Sequence, residues 1–380
     1  MMSRCMLIWA ILLLCPHLVR AESTPLTLAT GELKNAPRQP QAFVSDDGTV
    51  DVVCAVDHEI RLTTSHDRGA TFSAATSAIH CPNLSLGMRR GPRVVRTGTA
   101  VVVTAIGGKQ GKGRDGDLLL WRSTDDGTSW SDAIRVNDAP DFAREGLHGM
   151  AAGPDGEVWC VWLDLRSGKS EIYTAVSSDD GQTWNGNVRA YRSPEGSVCE
   201  CCHPSIIGRP MGGATIMFRN SWKGKRDMFL TNTEDGVAFT KGHQLGQGSW
   251  TLNACPMDGG MLASDGQKGL VTVWRRDNEV FATLGDGKKE RRLGSGQQPW
   301  AAWSAAGPVM VWTSGREGAL SMQIGLPGKV QQLATTARDP VVASNPASNF
   351  AIVCWEAKQG STSTVMTLVI ATSAGKSKDK

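Results

Sequence analysis

Ser123-Thr-Asp125-Asp-Gly127-Thr-Ser-Trp130 is the stretch on which the fold turns. The same pattern stands upstream as Ser65-His-Asp67-Arg-Gly69-Ala-Thr71-Phe72 and downstream as Ser177-Ser-Asp179-Asp-Gly181-Gln-Thr183-Trp184. A worn copy, Asn232-Thr-Glu234-Asp-Gly236-Val-Ala-Phe239, follows. The glycines are separated by 58, 54 and 55 residues, and a near-constant period of this length marks a repeat architecture. Each copy has the chemistry of a tight turn. The Asp carboxylate accepts backbone N–H groups, the glycine takes up the positive φ, and the aromatic folds back as an apolar peg.

Around these turns runs a second repeat. A near-continuous apolar strand recurs at 50–56, 100–106, 157–163, 214–220, 270–276, 308–314 and 350–356, the pattern of strands buried on both faces. A proline precedes it by about one strand at Pro40, Pro92, Pro204, Pro256, Pro299 and Pro340, with His148-Gly149 in the third unit. Each unit reads as an inner strand, a Val/Trp-rich strand, a third strand, a turn and an outer strand. The last unit has three strands, and Leu26–Thr30 can supply its fourth beside Val365–Ala371, which would close the ring and remove free edges. The expected fold is all-β, a propeller of four-stranded antiparallel blades, seven by this count and six as the alternative.

The turn motif resembles the Asp box, S-x-D-x-G-x-T-W, of the sialidase superfamily, over nearly the whole chain beyond its leader. The resemblance implies that the boxes join the third and fourth strands of a blade and lie away from the active face. It also implies a test. A sialidase grips its substrate carboxylate with three arginines and uses a tyrosine nucleophile. Pro37-Arg38-Gln39-Pro40 resembles the first arginine motif, with Arg90, Arg275 and Arg316 as possible partners. The chain has two tyrosines, Tyr173 and Tyr191, and none follows in the late blades where the family keeps its nucleophile.

The ends set the compartment. Arg4, the apolar run Met6–Leu14 and Val19-Arg20-Ala21 read as a signal peptide over 1–21. The propeller is then one domain over 22–374, with a charged tail at 375–380 and a periplasmic or extracellular location. No later run is long and apolar enough to span a bilayer. Formal net charge is +3, or +1 without Arg4 and Arg20, which gives no reason to expect nucleic acid as a partner. A monomer is expected.

In a propeller the loops leading into the inner strands open on one face around the axis. Those loops carry Arg38, then Cys81 with Met88-Arg89-Arg90, then His148, then Cys199-Glu200-Cys201-Cys202-His203. Next come Cys255, Met257 and Asp258, then Gln298, then Arg338-Asp339. Arg38, Arg90, His148, Asp258, Gln298 and Arg338 are the candidate ligand-binding residues. Arg38, Arg90, His148 and Asp164 are the candidates for catalysis, although no reaction template is complete. Cys81, Cys199, Cys201, Cys202, His203, Cys255 and Met257 could hold copper or zinc, since thiolates, imidazoles and thioethers suit soft metals. The alternative is a pair of disulfides, for example Cys255 to Cys201 or Cys202. Cys199-x-x-Cys202-His203 also fits c-type haem attachment, but Cys201 inside the motif speaks against it. The functional readings are a ligand- or metal-binding propeller, a glycoside hydrolase or lyase acting on acidic sugars, and an interaction scaffold.

Overall fold

A computed structural model describes residues 24–76 and 78–372. The expected leader at 1–21 and the tail at 375–380 lie outside the described residues. Within them the regular structure is β, apart from two single-turn 3-10 segments, and no helix is long and apolar enough to cross a membrane.

Five separate four-stranded antiparallel sheets follow one another along the chain. Their innermost strands are Arg38–Val44, Arg93–Arg96, His148–Ala152, Ser205–Gly208 and Met261–Ser264. Each then pairs outward through a mostly buried second strand, Val50–Val56 in the first sheet and Val158–Asp164 in the third. The outer strands of the first four sheets are short, down to Ile79–His80 and Ile134–Arg135. The remaining strands form one seven-stranded sheet. Here the expectation of seven separate blades is corrected. The 14-residue strand Val330–Ala343 does not break where one unit should end and the next begin. Its first half pairs with Gly318–Ile324 and its second half with Phe350–Gln359, so the last two units are fused through it. Leu26–Glu32 pairs antiparallel with Thr362–Ala371, Leu26 opposite Thr367, and completes the outer edge.

The inner strands pack side by side around an axis, and the second half of Val330–Ala343 packs back against Arg38–Val44. The apolar cores lie between neighbouring sheets. Val53, Ile60 and Leu62 of the first meet Val101, Val103 and Trp121 of the second, and Trp162 of the third meets Val102 and Leu120 of the second.

The boxes fasten these interfaces. In each of the first three the Ser hydroxyl and the Thr or Ser two residues after the glycine both donate to the Asp carboxylate, as at Ser123–Asp125 (2.7 Å) and Ser129–Asp125 (2.6 Å). The N–H of Gly127 donates back to Ser123 at 2.7 Å. These bonds hold the Asp67 and Asp125 carboxyls down at about 2, and the same bonds overcome partial desolvation to hold Asp179 there too. Gly127 has φ +81°, and a Cβ there would sit 2.6 Å from Leu62 Cδ2 of the preceding sheet. Gly236 lies likewise against Trp159 of the sheet before it, 3.0 Å from where its Cβ would be. The worn copy works differently from its reading in sequence. Asp235, not Glu234, takes the N–H groups of Val237 and Ala238, and Thr233 replaces the box serine.

Candidate functional site

The loops that enter the inner strands do converge on the axis, but they close it. Gln39, Gln298 and Asp339 each stand before a proline, have φ between +46° and +56°, and lie at a bulge where the strand pairing slips. A bulge with left-handed backbone re-aims a side chain. All three are turned into one buried belt. Gln39 donates to Asp339 at 2.8 Å, Gln298 donates to Asp339 at 3.2 Å, and the Asp339 N–H returns to Gln298 at 3.1 Å. The belt extends from Gln298 N–H to Asp258 (2.7 Å) and from Gln39 N–H to Glu356 (2.8 Å).

Arg89 fills the middle. Its φ is +62°, its guanidinium donates to the Pro340 and Gln298 carbonyls, and it lies 4.8 Å over the Trp300 ring. Arg93 beside it donates to the Pro92 and Arg89 carbonyls. Burial and the neighbouring Arg89 pull Arg93 downward, though a guanidinium remains charged at neutral pH. Burial raises the Asp258 carboxyl to about 6 against the pull of Arg89. His148 and His203 are buried and kept neutral, first by desolvation and then by the nearby arginines. His148 bonds Thr104 at 3.0 Å, and His203 stacks on Trp300.

This plug is buried throughout, with Arg89 and Gln39 3% exposed and Gln298 and Asp258 fully covered. The cavity of about 330 Å³ beneath it is lined by Arg93, His148, His203 and Trp300 at the blind end. Apolar inner-strand residues line it down to Gly266 and Asn345, in the turns of the Asp-box face. The axis on the expected binding face is thus a structural knot. Sequence reasoning placed Arg89, His148, His203, Asp258, Gln298 and Asp339 in one ring, and the structure joins them. It missed Gln39, Arg93, Trp300 and Glu356. The proline after Gln39, Gln298 and Asp339 is the signal that could have singled out the belt.

The other candidates separate. Asp164 is consumed by structure: its oxygens accept from Trp162 Nε1, the Arg166 N–H and the Arg166 guanidinium. Arg38 donates to the Leu33 carbonyl, and Arg338 pairs with Glu356 (2.7 Å) and Glu317. Tyr191 accepts from Asn220 and packs on Phe218, while Tyr173 lies under Arg166. Both tyrosines serve packing.

The cysteines also sort themselves. All eight among the described residues are unbridged. Cys81 is buried in the core between the first two sheets, where desolvation pushes its thiol up to about 12. Cys255 and Met257 are exposed, and Cys255 stands outside the cysteine group found among the described residues. The expected meeting of Cys255 with Cys201 and Cys202 is therefore replaced by another. Cys199, Cys201 and Cys202 come together, with Cys199 Sγ 3.7 Å from Cys201 Sγ and 3.6 Å from Cys202 Sγ.

Beside the plug, on the same face, a pocket of about 460 Å³ opens between the second and third sheets. Arg90, Lys112 and Arg144 share it with Glu145 and Asp115. Asp115 is spent on shaping the loop, since its oxygens take the N–H groups of Lys109, Gln110 and Gly111. Arg90 Nε donates to the Glu145 carbonyl at 2.8 Å, which leaves its terminal nitrogens without a protein partner among the described residues. Glu145 is pushed up by desolvation and by the Glu200 carboxylate, against Arg90 and Arg144.

A family model described as a BNR repeat-like domain matches residues 88–247, the span that holds the second, third and fourth boxes. Over that span the chain carries BNR repeats, and its fold is that of an Asp-box β-propeller. Among solved structures, this Asp-box propeller is similar to the α-L-arabinanase of Penicillium chrysogenum complexed with arabinobiose. The TM-score is 0.57 at 15% identity, over 93% of this chain and 99% of that one. It is similar to a family PL25 ulvan lyase, with a TM-score of 0.56 at 10% identity over 92% and 96% of the two chains. The Trypanosoma rangeli sialidase in complex with sialic acid gives 0.50 at 14% identity, over 89% of this chain and 54% of that one. At these identities the likeness is one of fold. No curated protein sequence matches.

Proposed function

We propose that the protein recognises an acidic sugar at the Arg90–Lys112–Arg144 pocket and acts on it as a glycoside hydrolase or lyase, with Glu145 as proton donor. The observation that supports this reading is the pocket's charge. Three side-chain cations wall one concavity on the loop face, and the one carboxyl free to react there has a raised pKa. Guanidinium groups with open terminal nitrogens suit a planar carboxylate, which they bind in bidentate fashion. A carboxyl whose pKa is raised by desolvation and by a neighbouring carboxylate suits transfer of a proton to a leaving oxygen. The tyrosine chemistry of sialidases is not part of the proposal, because Tyr173 and Tyr191 are committed to packing. The proposal includes export, from the leader pattern at 1–21.

The test is calorimetric titration with uronate and sialate oligosaccharides beside neutral ones of equal length, with product release followed in parallel. Acidic sugars should bind, and the double variant Arg90→Ala/Arg144→Ala should lose at least about tenfold in affinity. Glu145→Gln should keep binding and lose turnover. Equal affinity for neutral and acidic sugars, or acidic binding untouched by the double variant, would refute the reading.

A further inference from the structure

We propose that Cys199, Cys201 and Cys202 form a three-thiolate site for a soft metal ion, copper(I) by class. The inference is independent of the sugar pocket. Its first support is spacing. The Cys199 sulfur lies 3.7 Å from that of Cys201 and 3.6 Å from that of Cys202, and all three lie within 4.8 Å of one another. Thiolates held about 2.3 Å from one ion stand roughly 3.8–4.0 Å apart, depending on whether the ion is tetrahedral or trigonal. The two Cys199 spacings lie within a few tenths of an ångström of that value, and the Cys201 and Cys202 sulfurs, within 4.8 Å of each other, need close by no more than about 1 Å. A disulfide would require any two of them to close to about 2.05 Å.

Charge is the second support. Arg219 is a buried guanidinium, 2% exposed, whose donors go to the carbonyls of Asp258, Arg226 and Arg275. No carboxylate stands within ion-pair distance of it among the described residues. Its positive charge bears on the Cys199 and Cys202 sulfurs, and the Asp258 N–H points at Cys202. A metal thiolate cluster carries net negative charge, and this cation and N–H are the groups that would balance it.

Coordination number decides between the soft metals. Among the described residues no further His, Cys, Asp or Glu belongs to the group. His203, next in sequence, faces away. Its ring stacks on Trp300 with centroids 5.5 Å apart, and its Nδ1 lies where a Cβ on Gly259 would approach to 2.5 Å. Structural zinc sites are almost always four-coordinate, whereas soft sulfur ligands select copper(I) without demanding a fourth donor. Cys199 and Cys202 are buried while Cys201 is half-exposed, so the ion would enter past Cys201. Binding is ligand exchange without electron transfer: each ligating thiol gives its proton to solvent as the metal–sulfur bond forms.

The experiment titrates the full, reduced protein with copper(I) under anaerobic conditions against a chromophoric copper(I) chelator. One equivalent should be withdrawn from the chelator. Copper should protect Cys199, Cys201 and Cys202 from alkylation, as read by peptide mass spectrometry, while Cys255 stays reactive. Cys199→Ser, Cys201→Ser and Cys202→Ser should each weaken binding by about 100-fold or more, and Cys255→Ser should change nothing. The alkylation pattern is read on the unaltered chain, so it stands even if a variant fails to fold. The proposal is overturned by copper left on the chelator, by Cys255 protected in place of Cys201, or by zinc outcompeting copper(I) for the same three thiols. A Cys199–Cys202 disulfide that forms in the protein as isolated and resists reduction would overturn it as well.

Discussion

The two halves of the ring fasten their sheets in different ways. From Arg38 to Gln244 the outer strands are as short as two residues, and the Asp boxes hold the outer turns against the sheet before. From Gly307 onward there is no box. The strands lengthen to ten and fourteen residues, and two units share one continuous ladder. A local side-chain staple and a long backbone ladder are thus alternative ways to keep a blade edge from fraying. The first is set by eight residues of sequence, and the second by pairing between distant ones.

This contrast can be broken most severely at the ladder. Removing residues 26–32 strips the last sheet of six paired positions. At roughly 1 kcal/mol for each ladder hydrogen bond, about 5 kcal/mol should be lost. The bared edge of Thr362–Ala371 should also drive self-association. Denaturant unfolding and size-exclusion chromatography check both, and an unchanged midpoint would show that the boxes alone keep the ring shut.

A pair of glycines sharpens the comparison. Gly127→Val in the second box sets a branched side chain at φ +81° against Leu62, and should cost about 3 kcal/mol from backbone strain and overpacking together. Gly360→Ala in the hairpin between Phe350–Gln359 and Thr362–Ala371 has φ +58° but open space around its Cβ, and should cost only about 1 kcal/mol. Equal losses would mean that the box glycine is there for its φ alone and not for the close approach.

The smallest effect is one of pH. The Asp67, Asp125 and Asp179 carboxyls are held at about 2, below their ordinary 3.8. A group depressed in the folded state adds stability above its unfolded pKa and loses it as pH falls through the folded value. The melting temperature should therefore decline between about pH 4 and pH 2. The triple variant Asp67→Asn/Asp125→Asn/Asp179→Asn should melt a few degrees lower at pH 7 and show a flatter acid limb. An acid limb as steep as the parent's would assign the effect to other carboxylates.

The boxes were legible in sequence because their bonds run within eight residues. The closing pairing of Leu26 with the last strand was legible because a ring leaves one apolar edge to be covered. Fusion of the last two units was not, since whether Val330–Ala343 breaks in the middle depends on partners on either side of it. The axial ring was half legible. Sequence placed Asp258, Gln298 and Asp339 in equivalent loops, but the left-handed residues that turn them inward, where Arg89 ties them off, depend on backbone geometry that spacing alone does not show. The sulfur group was legible as a cluster and misread as to membership. Cys255 stands in an equivalent loop, yet equivalence around a ring fixes the face and not the distance.

The antiparallel clasp between Leu26–Glu32 and Thr362–Ala371 also sets how the molecule answers a mechanical load. Leu26 and the end at Ala371 leave the ladder on the same side. Tension applied through the two chain ends would therefore open that ladder like a zipper, one rung at a time, instead of shearing all rungs at once. The ring is closed firmly against thermal fluctuation and weakly against a pull on its ends. A protein tethered by both ends would open at this seam before any box turn felt the force.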